Sequence, residues 1–286
     1  MIKNVIYPTD FSRASELGIK ALEEMKKIGV EKVYVLHVID LNRLIGPVSG
    51  IDIPAVINDY EVETERNTEI FSESIRKLGF DVHAIEPRTG EPSIVISETA
   101  EEVKADMIVI PSHGKSFISG LLLGSVSEGV VKRSRKPVLV VKMLPSENSE
   151  SKSTFGQMFK RIVAGFDFSQ SSEKMMDYVK LFAKKGEAER VTVVHVLERR
   201  DELNDEKLGK LEEIKCSFEG EGIDAEILVG KGTPYKEILR TSEERDATMI
   251  TVSSGGEGFI RTILGGTADG IVRRSRVPVF VYKEQA

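Results

Sequence analysis

The stretch GSVSEGVVKRSRKPVLVVK at residues 124–142 returns at residues 265–283 as GGTADGIVRRSRVPVFVYK. The leading glycine, the Arg-Ser-Arg run, the proline and the valine-rich end fall in register without a gap. Chance similarity does not align so many special residues, so the pattern indicates a tandem repeat of one structural unit.

The starts of the two halves repeat as well. Residues 4–12, NVIYPTDFS, correspond to residues 161–169, RIVAGFDFS, and LHV at 36–38 corresponds to VHV at 194–196. Between the halves lies a Ser-, Glu- and Lys-rich stretch that cannot support a core. We therefore predict one domain at residues 1–143, a linker at 144–159 and a second domain at 160–286, in agreement with the length of 286 residues.

Each half alternates short apolar runs with amphipathic stretches of helical length. In the first half we predict strands at 3–8, 32–39, 81–86, 107–111 and 138–142, and helices at 12–28, 59–78, 92–104 and 125–135. A run such as MIVI at 107–110 is typical of a strand buried on both faces of a parallel sheet. The expected fold is α/β, with two tandem open parallel five-stranded sheets and helices on both faces. The first half alone carries an insertion, at about residues 41–58.

Composition excludes several classes of protein. The net charge is −6, whereas nucleic-acid-binding proteins normally show a basic face. The one cysteine, Cys216, cannot form an intramolecular disulfide. The apolar run at the N-terminus is too short for a signal peptide, and no stretch approaches the ~18 apolar residues of a membrane span. We expect a cytoplasmic protein that binds neither nucleic acid nor membranes.

Ligands of open α/β sheets bind beyond the carboxyl ends of the strands. Three segments fall there: residues 9–10 after the first strand, residues 37–39 at the end of the second, and residues 112–114 after the fourth. The third loop continues to Gly124-Ser125 at a helix start, where free N–H groups and the helix dipole predict an anion site. Lys115 could add a positive charge. A P-loop is excluded because its leading glycine position holds Val109, inside a strand.

Three motifs of the first half carry a resemblance to a known family. They are PSHG at 111–114 followed after nine residues by GS at 124–125, YPTDFS at 7–12, and LHVID at 36–40. The first half resembles the ATP-binding branch of the universal stress protein family, whose motif is Gly-x2-Gly-x9-Gly-Ser/Thr, with Pro111 standing at the first glycine. The resemblance spans residues 1–143. It implies a Rossmann-like fold of the adenine nucleotide alpha hydrolase type that binds ATP, AMP or ADP, often with Mg²⁺ or Mn²⁺.

The resemblance also assigns roles to individual residues. Adenine and ribose would be surrounded by Pro8, Thr9, Asp10 and Val38, with Val38 reading adenine through its backbone. The phosphates would be held by Gly114, Gly124, Ser125 and Val126. Pro111 would place a ring beside the ribose. Apart from the resemblance, His113 lies in the predicted phosphate loop and could touch a ligand.

The second half matches this pattern less well. Its motif reads VSSG at 252–255 and then GG at 265–266, and Phe166 stands at the position of Thr9. We predict a degenerate second site that acts as a structural partner for the first half. No candidate general base is evident in the phosphate loop, so hydrolysis of the nucleotide is expected to be slow or absent.

Two other functions stay open at this point. One is a ligand-free tandem scaffold that acts through protein–protein interaction. The other is a transferase or ligase with a second substrate pocket under residues 41–58. For assembly, the last strands at 138–142 and 279–283 are expected at sheet edges, where they can pair within one chain and imitate the family's dimer. A further homodimer of the whole chain is left open.

Overall fold

The structure is a computed structural model that describes residues 1–40, 53–113, 123–142, 154–198, 203–255 and 264–284. The helices within these ranges are α1 Arg13–Lys27, α2 Ile53–Arg76, α3 Pro92–Glu102, α4 Ser125–Arg133, α5 Gln170–Lys185, α6 Asp205–Glu219, α7 Pro234–Glu244 and α8 Gly266–Arg274. The strands are β1 Asn4–Pro8, β2 Lys32–Leu36, β3 Val38–Ile39, β4 Asp81–Ala84, β5 Arg88–Thr89, β6 Met107–Pro111, β7 Val138–Val141, β8 Arg161–Gly165, β9 Arg190–Leu197, β10 Ala225–Lys231, β11 Met249–Ser253 and β12 Val279–Tyr282.

The predicted α/β class is confirmed, with strands parallel within each half and helices on both faces. The expectation of two separate five-stranded sheets is corrected, because the strands form one ten-stranded sheet in the order β10-β9-β8-β11-β12-β7-β6-β1-β2-β4. The two halves join where β7 pairs antiparallel with β12. Both strands are buried and almost entirely apolar, VLVV and VFVY, so an unpaired edge on either would expose apolar side chains and free backbone groups.

The register at this seam follows the repeat. Leu139 lies opposite Phe280, and these two residues occupy equivalent positions in the aligned strands. A pair of equivalent residues that face each other is what a local two-fold axis through the seam produces. The two final strands thus pair within one chain at equivalent positions of the repeat.

The strand order places a crevice in each half. In the first half β1 lies between β2 and β6. The chain adds β2 and β4 on one side of β1 and then β6 and β7 on the other, so the strand order switches between β1 and β6. The equivalent switch in the second half lies between β8 and β11. These are the points where open parallel sheets bind ligands beyond the strand ends.

Repeated glycines let neighbouring helices approach closely. A Cβ atom on Gly129 of α4 would lie 2.6 Å from Cβ of Ser93, which belongs to α3. A Cβ atom on Gly270 of α8 would likewise lie 2.6 Å from Cγ of Tyr235 in α7. Both contacts are shorter than real Cβ contacts, so the α3–α4 and α7–α8 pairs each depend on a glycine at this repeat position.

Two predicted elements of the first half differ in extent. The predicted strand 32–39 is divided at His37, and β3 pairs with β5 in a small separate sheet. Register moves by one residue between the Val35–Ala84 and Val38–Arg88 pairs, which marks a bulge around Pro87, a residue without an N–H donor. The helix predicted to begin at residue 59 begins at Ile53. The predicted insertion at 41–58 otherwise lies outside the described residues.

The end of the segment predicted as a linker is packed against both halves. Met158 and Phe159 are buried, and the backbone N of Met158 donates to Oε2 of Glu24 in α1 at 3.2 Å. The Phe159 ring stacks on Phe182 of α5 with centroids 5.3 Å apart. These contacts tie α1 of the first half to the core of the second.

In the described part of the chain, no helix has the length and apolarity needed to cross a bilayer.

A buried lysine follows each strand of the seam. Lys142 comes directly after β7, is 4% exposed, and donates from Nζ to the carbonyl of Val272 in the last turn of α8. That carbonyl lies at the partially negative end of the helix. Burial lowers the pKa of Lys142 from 10.5 to about 7, and it lowers the pKa of the equivalent Lys283 to about 8.

These pKa values predict a stability that rises with pH. Below pH 7 both folded and unfolded chains carry the proton on Lys142, so the full cost of burying the charge is present. Between pH 7 and about 10 the folded chain has lost this proton while the unfolded chain keeps it, so the free energy of unfolding rises, by up to about 1.4 kcal/mol per pH unit. Urea unfolding across this range should show a shallower rise for Lys142→Met.

The matched control is Lys77→Met, which removes an exposed lysine. Its unfolding free energy should follow the wild-type pH profile. Parallel profiles for Lys142→Met and the wild type would contradict the assigned burial cost.

Candidate functional site

The turn between β1 and α1 is held by its own side chains. Oδ1 of Asp10 accepts hydrogen bonds from the Ser12 backbone N at 3.1 Å and from Ser15 Oγ at 2.8 Å. Oγ1 of Thr9 accepts from the backbone N of Phe11 at 3.0 Å. Phe11 has a φ of 57°, a left-handed conformation that costs a residue other than glycine about 1–3 kcal/mol. The side-chain bonds hold this strained turn in place and fix the direction of Thr9 and Asp10.

His37 ties the ends of β1 and β2 together. Its Nδ1 lies 2.7 Å from the carbonyl oxygen of Thr9, while the Thr9 backbone N donates to Leu36 O at 2.9 Å. A carbonyl only accepts, so Nδ1 carries the proton. The ring also stacks on Phe11 with centroids 4.6 Å apart. His37 thus packs against Phe11 and joins the ends of β1 and β2 through its hydrogen bond to Thr9.

The backbone of Val38 points toward the end of β1. Arg88 N donates to the carbonyl of His37 at 3.3 Å, and Gly90 N donates to the carbonyl of Ile39 at 3.0 Å. Because backbone groups alternate in direction along a strand, the polar groups of Val38 point away from β5. On that side β1 ends at Pro8, so the edge of Val38 faces the crevice rather than a strand.

The start of α4 closes onto the end of β6. The backbone N of Gly124 donates to Ser112 O at 2.6 Å, and Ser127 Oγ donates to Pro111 O at 2.7 Å. Gly124 has a φ of −80°, a conformation that any residue adopts. A glycine therefore matters at this position because it has no side chain, and not because of its backbone conformation. A Cβ atom there would lie 3.3 Å from Ser112 O and would fill the approach to the helix start.

Helix α4 begins without a side-chain cap, as do α7 and α8, whereas four other helices are capped. The first N–H groups of α1, α3, α5 and α6 are bonded by the side chains of Ser12, Glu91, Ser169 and Asn204. At α4 the capping residue is Gly124, and no side chain of the described residues caps the helix. The exposed Ser125 and the half-buried Val126 occupy the first two positions. Their N–H groups, the positive end of the helix dipole and the Ser125 hydroxyl form a cradle that an anion fits.

Pro111 and His113, on the segment that leads from β6 toward this cradle, are both buried. The Pro111 ring points toward α1, with its Cγ 3.2 Å from the position of a Cβ on Gly18. Nδ1 of His113 lies 3.0 Å from Ser112 Oγ. The predicted site residues Gly114 and Lys115 lie outside the described residues.

The structure brings the described residues of the predicted adenine side and phosphate side to the same end of the strands. They lie at the carboxyl ends of adjacent strands β1, β2 and β6. Two residues were missed by sequence reasoning: Ser15, which binds Asp10, and Ser127, which binds the end of β6. Ser15 recurs as Ser172, which is a signal for a structural role, whereas Ser127 is replaced by Ala268 in the second half and gives no such signal.

The second half repeats the frame with different side chains. His195 Nδ1 lies 2.9 Å from Phe166 O, and Gly265 N donates to Ser254 O at 2.8 Å. Phe166 replaces Thr9, and its buried ring packs edge-on against Phe168 at 5.1 Å. Helix α8 also lacks a side-chain cap, but Gly266 stands where α4 has a hydroxyl. Among the described residues, no group of three His, Cys, Asp or Glu side chains could hold a metal ion.

Comparison with known proteins identifies the family. The sequence pattern of the Universal stress protein family matches residues 1–142 and again residues 158–283. The chain belongs to the universal stress protein family. A universal stress protein crystal structure from Archaeoglobus fulgidus DSM 4304 is similar with a TM-score of 0.79 and 33% identity, covering 98% of each chain. This universal stress protein therefore shares its architecture of two halves with that relative.

Two universal stress proteins of Methanocaldococcus jannaschii are similar to half of the chain. One is 36% identical over 157 residues, which are 50% of this chain and 96% of the relative. The other is 34% identical over 151 residues, which are 50% of this chain and 83% of the relative. Each relative thus corresponds to one half of this tandem universal stress protein.

The packing of Pro111 predicts a stability effect. Pro111→Gly removes the ring that fills space against Gly18 and gives the unfolded chain more freedom. We expect the free energy of unfolding, measured by urea denaturation, to fall by about 1–3 kcal/mol. Pro111→Ala keeps the Cβ atom and should lose less. Equal or higher stability of Pro111→Gly would show that the ring does not contribute to packing.

Proposed function

We propose that the chain is a cytoplasmic ATP-binding regulatory protein that takes one nucleotide per chain, in the crevice between β1 and β6. The observation that carries the proposal is the uncapped start of α4 at a strand-order switch. Free N–H groups at a helix start attract an anion, and a glycine at the cap leaves room for phosphate oxygens to approach. AMP and ADP present the same chemistry with fewer phosphates.

The residues that line the crevice fit a nucleotide. The N–H groups of Ser125 and Val126 and the Ser125 hydroxyl would donate to the phosphates. Gly124, whose own N–H is bonded to Ser112 O, would leave room for the phosphate oxygens, and His113, Gly114 and Lys115 belong to the same predicted loop. A bound Mg²⁺ or Mn²⁺ would enter with the phosphates, whose oxygens are the ligands that such cations prefer.

Adenine and ribose would occupy the other side of the crevice. The outward edge of Val38 supplies one N–H donor and one carbonyl acceptor, which together suit the hydrogen-bonding edge of adenine. Thr9 and Asp10 are held rigidly by the strained turn at Phe11, so their groups would need little reordering on binding. Pro8 ends β1 and would form the floor of this side.

The second half is proposed as a structural partner rather than a second site. Its seam with the first half, built from β7 and β12, would imitate the dimer of single-domain relatives within one chain. Slow or absent hydrolysis is part of the proposal, because the described residues at the α4 start include no side chain placed as a general base toward the phosphates.

The test compares equivalent substitutions in the two halves. Gly124→Val and Gly265→Val place the same bulk at the same helix position, because a Cβ atom on either glycine lies 3.3 Å from the facing carbonyl. Calorimetry with ATP and Mg²⁺ should show one site in the wild type. Gly124→Val should weaken binding at least about 100-fold, since it displaces two or more charge-assisted backbone hydrogen bonds.

Gly265→Val is the matched control and should bind ATP within about two-fold of wild type. Mass spectrometry of nucleotides released from the denatured wild-type protein gives an independent readout. A protein that releases no nucleotide and binds no ATP at millimolar concentration would refute the proposal and favour the ligand-free scaffold. Two sites per chain, or equal losses in both variants, would refute the assignment to the first half.

A further inference from the structure

A carboxylate lies one turn from the proposed phosphate site. Glu128 follows Gly124 by four residues, and its backbone N donates to Gly124 O at 2.9 Å, closing the first turn of α4. Hydrogen bonds from Lys132 and Arg273 lower the pKa of Glu128, so it is ionised at neutral pH. A negative side chain stabilises a helix start, but it repels a phosphate bound at the same end.

Two cations hold this carboxylate, and one comes from the other half of the chain. Lys132 of α4 donates to Glu128 Oε1 at 2.7 Å. Nη2 of Arg273 in α8 donates to the same oxygen across the seam, while its Nε donates to Asp269 at 2.8 Å. Arg273 is the repeat counterpart of Lys132, and its planar fork allows it to bind two carboxylates at once.

We propose that Arg273 is a positioning residue through which the second half sets the affinity of the first half for the phosphates. It draws the Glu128 side chain toward the seam and offsets its charge, so that the start of α4 stays favourable for an anion. The inference rests on the proposed nucleotide site and adds a regulatory role for the half predicted to be degenerate.

The expected effect is moderate, because the side chains of Arg273 and Glu128 are 38% and 25% exposed and are partly screened by solvent. Calorimetry should show that Arg273→Met weakens ATP binding about 3- to 10-fold. The affinity for adenosine, which carries no phosphate, should stay within two-fold. Arg274→Met is the matched control, since the guanidinium of Arg274 lies 4.9 Å from the ring centre of Tyr235 within the second half.

A double-mutant cycle separates the charge effect from a merely structural one. In the Glu128→Gln background there is no carboxylate to offset, so Arg273→Met should change ATP affinity less than two-fold. The difference in ATP affinity between the wild type and Arg273→Met should also become smaller when the salt concentration is raised. Thermal unfolding of each variant identifies any loss that comes from reduced folding.

The outcomes distinguish this inference from the proposed function. A wild-type chain that binds no ATP overturns both. If the wild-type chain binds ATP, two results overturn only the role of Arg273. One is an ATP affinity that Arg273→Met leaves unchanged, and the other is a loss of ATP affinity that is equally large in the Glu128→Gln background. An equal loss of adenosine affinity would also overturn it, because the effect would then not act on the phosphates.

Discussion

The antiparallel pairing of β7 with β12 is the contact on which the rest of the molecule depends. It turns two half-sheets with apolar edges into one sheet, and it brings α4 and α8 side by side. Contacts between the halves follow from it: Arg273 reaches Glu128, and the buried Lys142 caps the end of α8. The desolvation of two lysines at this seam is a cost that the apolar strand pairing must exceed.

The two halves share the same backbone arrangement, whereas their side chains differ at several equivalent positions. Both halves retain a strained phenylalanine after the first strand, with φ of 57° at Phe11 and 61° at Phe168, and a histidine that ties the first two strands together. Two of the differences fall at the crevice, where Phe166 aligns with Thr9 and Ala268 aligns with Ser127. A shared frame with diverged crevices is what we expect when one half carries the ligand and the other supports it.

Much of the architecture could be predicted because its signals are local. The alternation of buried strands and amphipathic helices is visible in the sequence, and Ser12 marks the first helix start through its capping bond to Ser15. Boundaries failed where long-range contacts decide them. The division of the second strand at His37 depends on a bulge around Pro87, about fifty residues away in the chain, and such a pairing leaves no local pattern.

The sequence by itself determined the repeat, the α/β class and the family, and it predicted the strand ends at which a ligand would bind. Tertiary structure decided what periodicity cannot encode. It showed that the Pro111 ring turns toward Gly18, that α4 begins without a cap, and that Arg273 meets Glu128 across the seam. The physical reason is that periodicity reports which face of an element is buried, whereas partners far apart in the chain are set by how the elements pack.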